Sequence, residues 1–219
     1  MIYCNSMSII HQKFIKPRLP RIVVTGPPGS GKTSIVNIFR GEFAHIIQCV
    51  PEVATLAIVG LGLTPDKPEN KVVYKSVFLH LLYKLQILID HISEEVARDM
   101  GRNVVLMDKT LVDVVGHLSG KNKEYKELFN TTVEKDYKNY DLVLFLELPT
   151  RKVFNEIRKN NPARSENYEA SKRNGILYKK AWQGHPNVKY INNDFGWDGK
   201  VAQARLAVKD FLKEIKKTS

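Results

Sequence analysis

Cysteine is scarce in this chain: Cys4 and Cys49 are the only two in 219 residues. They form no metal-ligand or redox spacing, which excludes a cysteine metal site and predicts a reduced, intracellular protein with incidental thiols. Long apolar runs are missing too. The longest, residues 53–63, is too short to span a bilayer and contains Gly60 and Gly62. The first twenty residues, MIYCNSMSIIHQKFIKPRLP, lack the apolar core of a signal peptide and read as a loose basic lead-in ending at Pro20. These absences predict a soluble, cytoplasmic protein. No internal repeat and no low-complexity segment is present. No RNA- or DNA-binding motif accompanies the net charge of +11, and the lysines are scattered, so no nucleic-acid partner is expected. The charge suits a phosphate-rich ligand or an anionic membrane surface, and membrane contact has no other support.

The strongest positive signal runs through residues 21–40, RIVVTGPPGSGKTSIVNIFR. Arg21 to Thr25 is a β-branched run typical of a buried strand. Gly26, Pro27, Pro28, Gly29, Ser30, Gly31, Lys32 and Thr33 then satisfy G-x-x-x-x-G-K-[ST] at every position. Ile35, Ile38 and Phe39 follow at helical spacing, with Gly41 expected to end the helix. A strand, this loop and a helix form a P-loop. Its glycines let the backbone approach a ligand, and its N–H groups and the helix N-terminus attract phosphate. Lys32 is expected at the β- and γ-phosphates, and Thr33 at Mg²⁺. Residues 26–34, Ser34 included, are the candidate nucleotide site.

The rest of the chain alternates strands and helices. Residues 43–50 predict strand two, stopping at Pro51 with Glu52 directly after it, at the strand edge where open α/β sheets bind ligands. Residues 53–63 predict a short apolar helix and residues 64–70, TPDKPEN, a loop. Residues 71–100 predict a long helix whose stripe of Val77, Leu81, Leu85, Leu88, Ile92 and Val96 packs into the core, with Glu94, Glu95 and Arg98 as surface pairs. Residues 103–107 predict strand three. Asp108 at its end stands where a Walker B acid should lie, the second expected Mg²⁺ ligand. Helices are expected over 110–118 and 124–138, around a polar SGKNK loop. A buried strand follows over 141–148, then a helix to Arg158, a basic KNNPARS loop that could act as a lid, and a helix over 166–182. A last strand over 188–191 precedes a C-terminal amphipathic helix over 196–217. The pattern predicts one α/β domain over 21–219, a three-layer α/β/α fold with a parallel sheet of about five strands and right-handed crossovers.

Several stretches together, VTGPPGSGKTS, VPEVATLAIVGLG, VVLMDKTLVD, YDLVLFLEL and ARSENYEASKRN…AWQGHPNVKYINND, resemble the P-loop AAA domain shared by NadR, a ribosylnicotinamide kinase and regulator, and the TRP translocation defect protein. The resemblance spans residues 21–212 and is closer to the latter branch. It implies a nucleoside-kinase-like P-loop fold that binds ATP or GTP. It implies Glu52 and Asp108 at the reaction edge and Arg164 in the lid. The family usually has Arg after the strand-three acid. Here Lys109 keeps the charge but loses the bidentate fork. The further C-terminal domain of the TRP translocation defect protein is not expected in this chain, so phosphoinositide binding is not carried over.

Two functions follow. A small-molecule kinase needs a phosphate cradle, Mg²⁺, a group orienting the acceptor hydroxyl, and cations for developing charge. Residues 26–33, the Thr33–Asp108 pair, Glu52, and Lys32 with Arg164 supply those roles. Either Glu52 or Asp108 could be the base. The alternative is an ATP- or GTP-dependent regulator or adaptor with little turnover, which the same P-loop would serve. No guanine-reading N-K-x-D segment is present, which leans towards ATP without deciding it. The acceptor and the oligomeric state are not readable.

Overall fold

The computed structural model describes residues 17–61, 77–118, 122–159 and 167–218. The expected lead-in up to residue 16, the TPDKPEN loop, the start of the long helix, most of the SGKNK loop and the lid with Arg164 lie outside the described residues.

Five parallel strands form the centre: β1 Arg21–Thr25, β2 Ile47–Val50, β3 Val104–Asp108, β4 Leu142–Leu146 and β5 Val188–Ile191, in the order β2-β3-β1-β4-β5. Neighbouring residues of a strand enter opposite faces. Ile22 and Val24 join one core with Leu106, Leu144 and Phe39, whereas Val23 joins the other with Val105, Met107 and Phe145. Both faces of the sheet are therefore covered, which explains why the strands read as continuous apolar runs. The first face is sealed by α1 (Lys32–Glu42) and the C-terminal α8 (Gly196–Thr218). The second is sealed by α3 (Leu79–Asp99), the 3-10 segment Leu111–Leu118, α4 (Asn122–Phe129), α5 (Val133–Tyr137) and α7 (Tyr168–Trp182). Two short helices, α2 (Val53–Leu61) and α6 (Arg151–Lys159), follow β2 and β4.

Several expectations are corrected. Strand two starts at Ile47 because the N–H groups of Ile46 and Ile47 donate to the Phe43 carbonyl and close a turn there. Gly41 lies inside α1, which continues to Glu42 and is closed by the Phe43 N–H donating to the Phe39 carbonyl. The helix expected over 124–138 is two helices, broken where Asn130 takes a left-handed φ of 53° and Thr132 caps α5 through the Lys135 N–H. The 110–118 helix is a 3-10 segment.

The largest correction concerns α3. Its inward residues are Leu79, Leu82, Gln86, Asp90, Ser93 and Ala97, half of them polar. From the stripe expected in the core, Val77, Leu88, Ile92 and Val96 are exposed, and only Leu81 and Leu85 are partly covered, by α2. One of the inward polar residues, Asp90, has its partner at the amino edge of the sheet. Asp90 accepts from Gln86 at 2.7 Å and lies 3.7 Å from Arg21, which also donates to Glu94 at 3.1 Å. Glu94 further accepts from Arg98 and from the Leu19 N–H, so it is part of a half-buried network and not an ordinary surface pair. Residues 17–20 are tied down by the same network, with Arg18 forking onto Asp141 at 2.7 and 2.8 Å.

Candidate nucleotide site

The site lies at the carboxyl edge of the sheet, where β1 runs out into the loop and β3 ends beside it. Val24 is in register with Asp108, and the Lys109 N–H donates to the Val24 carbonyl at 3.1 Å. That pairing brings the P-loop and the strand-three acid together. The loop needs its glycines: Gly26 has φ +135° and a Cβ there would collide with the Leu146 carbonyl, and Gly31 has φ +95° with the Trp197 ring 2.6 Å from any Cβ. Without side chains these residues leave the loop's N–H groups uncovered for an anion.

Lys32, the first residue of α1, folds back over the loop and donates to the Pro27 carbonyl at 2.9 Å. Burial pushes its ammonium down to about 8, and the like charge of Lys109 adds to that shift. Thr33 donates to Asp108 Oδ2 at 2.8 Å. The other carboxylate oxygen, Asp108 Oδ1, is buried with no hydrogen-bond partner, as is the Ser30 hydroxyl. Burial pushes the Asp108 carboxyl up, opposed by Lys32 and the Thr33 hydroxyl. An orphaned carboxylate oxygen next to a threonine hydroxyl fits a hard cation such as Mg²⁺. Among the described residues no group of three or more His, Cys, Asp or Glu forms a separate metal cluster.

Glu52 stands one strand farther out, just past β2, as expected from its place after Pro51. It forms an ion pair with Lys109 and accepts from Thr55 at 2.7 Å. Burial alone would raise the Glu52 carboxyl, but the Lys109 ammonium outweighs it and holds the group down at about 2. Burial works against the Lys109 ammonium as well, yet Glu52 carries it well above its ordinary value. Lys109 holds a left-handed φ of 66°, uncommon for a residue with a side chain. Glu52, Lys109 and Asp113 line a small cavity with Val53, Ala54, Leu82 and Gln86. Its space is about 30 Å³, enough for water and too little for a sugar. A larger cleft of about 590 Å³ lies at the opposite, amino edge, among the charges around Arg21, far from the phosphate loop.

Three supporting residues carry no local signal in the sequence. Lys200, on α8, is buried beneath the loop and donates to the Ser30 carbonyl at 3.0 Å and the Glu147 carbonyl at 2.6 Å. Burial pushes its ammonium down to about 8. Nothing in the sequence separates it from the other 33 basic residues. Asp113 is buried and accepts from the Thr25 hydroxyl, the Thr110 N–H at 2.9 Å and the Trp182 indole at 3.3 Å, which joins the end of β1 to α7. Trp197, partly exposed against Gly31, is one of only two tryptophans, and that rarity was the one hint available. Arg164 lies outside the described residues.

The profile of a protein family described as an AAA domain matches residues 21–198, most of the chain. The chain belongs to this AAA-domain family. Its sheet order, flanking helices and loop together make it a P-loop nucleotide-binding NTPase domain. Among curated proteins no relative matches. No helix among the described residues of this AAA-type domain is long and apolar enough to cross a membrane.

Proposed function

We propose that this chain is a small-molecule kinase that transfers the γ-phosphoryl group of ATP or GTP to an acceptor hydroxyl. The observation that carries the reading is the placement of Glu52: beside Asp108, with β3 between its own strand and that of the nucleotide loop, in a cavity with both apolar and polar walls.

In this reading the loop's N–H groups and Lys32 hold the β- and γ-phosphates, and Trp197 offers a ring beside Gly31 for the nucleobase. Thr33 and Asp108 hold Mg²⁺, which neutralises charge on the phosphates when bound. Glu52 orients the acceptor hydroxyl. The acceptor oxygen takes the phosphoryl group, the nucleoside diphosphate leaves, and the hydroxyl proton passes to Glu52. Asp108 is committed to the cation, which leaves Glu52 as the base. Paired with Lys109, Glu52 is a poor one; drawing Lys109 towards the phosphates would free it and raise its basicity. Arg164 is proposed, from its motif alone, to close over the phosphates from the lid. The cavity must widen to admit an acceptor, and Val53 and Ala54 of α2 form one of its walls.

The test is product analysis with ATP or GTP, Mg²⁺ and a panel of nucleosides, on the wild type and Glu52→Gln. A phosphorylated acceptor, with turnover lowered about a hundredfold or more in Glu52→Gln at unchanged nucleotide affinity, supports the kinase. Nucleotide binding with no product from any acceptor, and equal slow hydrolysis in both proteins, favours the regulator.

A further inference from the structure

The exposed stripe of α3 is the feature that neither the fold nor the proposed chemistry explains. A helix of 21 residues turns polar side chains inward and leaves Leu88, Ile92 and Val96 facing out. Leu88, Ile92 and Val96 lie four residues apart on one exposed face of the helix, where a second helix can pack. Apolar side chains at such spacing lose contact with water when a second helix packs on them.

Charges on the same surface indicate which helix that is. Lys84 is exposed near one end, and Glu95 and Asp99 are exposed near the other. None of the three makes an ion pair among the described residues. Basic at one end and acidic at the other, the surface complements itself when reversed. A two-fold axis crossing α3 between His91 and Ile92 sets Lys84 against Asp99 of the second copy and brings the two Ile92 side chains together at the axis, with Leu88 about one turn away on either side. A parallel arrangement would oppose Lys84 to its own counterpart, which is repulsive. Self-complementary surfaces of this kind build isologous dimers.

We propose that the outward face of α3 is an interface with a second copy of this chain, the two helices antiparallel. One helix pair buries less than the about 800 Å² per partner of a standard interface, so the dimer forms at high and not at low protein concentration.

Sedimentation velocity of the full chain tests this across low to high micromolar concentration. The expected result is a sedimentation coefficient that rises with concentration to the dimer value. Leu88→Glu with Ile92→Glu, both exposed positions, should keep the wild-type melting temperature and remain monomeric throughout. Lys84→Glu should weaken the dimer several-fold, and adding Asp99→Lys should restore it. A chain that stays monomeric at the highest concentration overturns the proposal, as does a dimer that the double glutamate variant leaves intact. A Lys84→Glu loss that Asp99→Lys does not repair overturns the antiparallel pairing. A monomer that binds anionic vesicles through Leu88 and Ile92 would assign the stripe to a membrane surface instead.

Discussion

The two edges of the sheet both bury charge, and they treat it oppositely. At the amino edge Arg21 meets Asp90 and Glu94, Arg98 adds to Glu94, and Arg18 forks onto Asp141. Charge answers charge within the chain, with Arg21 Nε and the Tyr140 hydroxyl left without a partner. At the carboxyl edge Lys32 has only a carbonyl of its own loop, Asp108 Oδ1 has nothing, and Ser30 Oγ has nothing. Desolvated polar groups are costly when unpartnered, and a fold keeps them where a ligand completes them. The contrast assigns stability to the amino edge and binding to the carboxyl edge.

Arg21→Met breaks the first half of that contrast. It leaves Asp90 and Glu94 buried with one cation fewer, so stability should fall by about 3–5 kcal/mol in a denaturant titration. Nucleotide affinity of the folded fraction should stay near wild type. Lys32→Ala breaks the second half. It should weaken ATP or GTP binding about a hundredfold or more by calorimetry, about 2.7 kcal/mol, with the melting temperature unchanged or slightly raised because a desolvated cation is removed. If Arg21→Met impaired binding as much as Lys32→Ala, the division of labour would be wrong.

Lys109→Met sharpens the comparison at an exception, a partly buried charge pair at the carboxyl edge that is closed within the chain. Glu52 and Lys109 are 24% and 23% exposed, so water screens the pair only in part. The Glu52 carboxyl lies at about 2 in the folded chain against an ordinary 4.5. Its contribution is therefore complete above pH 4.5 and is lost as pH falls towards 2. Lys109→Met should flatten that acid limb by on the order of 2 kcal/mol or less, read from urea midpoints at several pH values. An unchanged limb would mean the pair contributes nothing.

Asp108→Asn has the smallest expected effect on the free protein. The amide can still accept from Thr33, so stability should move by about 1 kcal/mol or less. The Mg²⁺ dependence of nucleotide binding should fall. Wild-type Mg²⁺ dependence would withdraw the cation role from Asp108.

Much of this was legible in the chain. A P-loop is contiguous, and each position answers a local demand: positive φ at Gly26 and Gly31, a cation at Lys32, a hydroxyl at Thr33. The strands were legible because a sheet covered on both faces demands unbroken apolar runs such as VVLMD and LVLFL. Asp108 and Glu52 followed, since the end of a parallel strand is a fixed place in such a sheet. The sequence by itself therefore determined the sheet, the loop and the edge on which the loop opens.

Tertiary structure decided which groups meet across distance. In α3 two stripes at helical spacing compete, and hydrophobicity alone favours the one with Leu88, Ile92 and Val96. The polar one turned inward because Arg21, at the start of β1, needs Asp90 and Glu94 as partners. Lys200 reaches the Ser30 carbonyl from 170 residues away, and Asp113 reaches Thr25 from 88. Glu52 meets Lys109 only because β2 lies beside β3. Periodicity reports which face of a helix is apolar; which face is buried depends on what the rest of the chain brings against it.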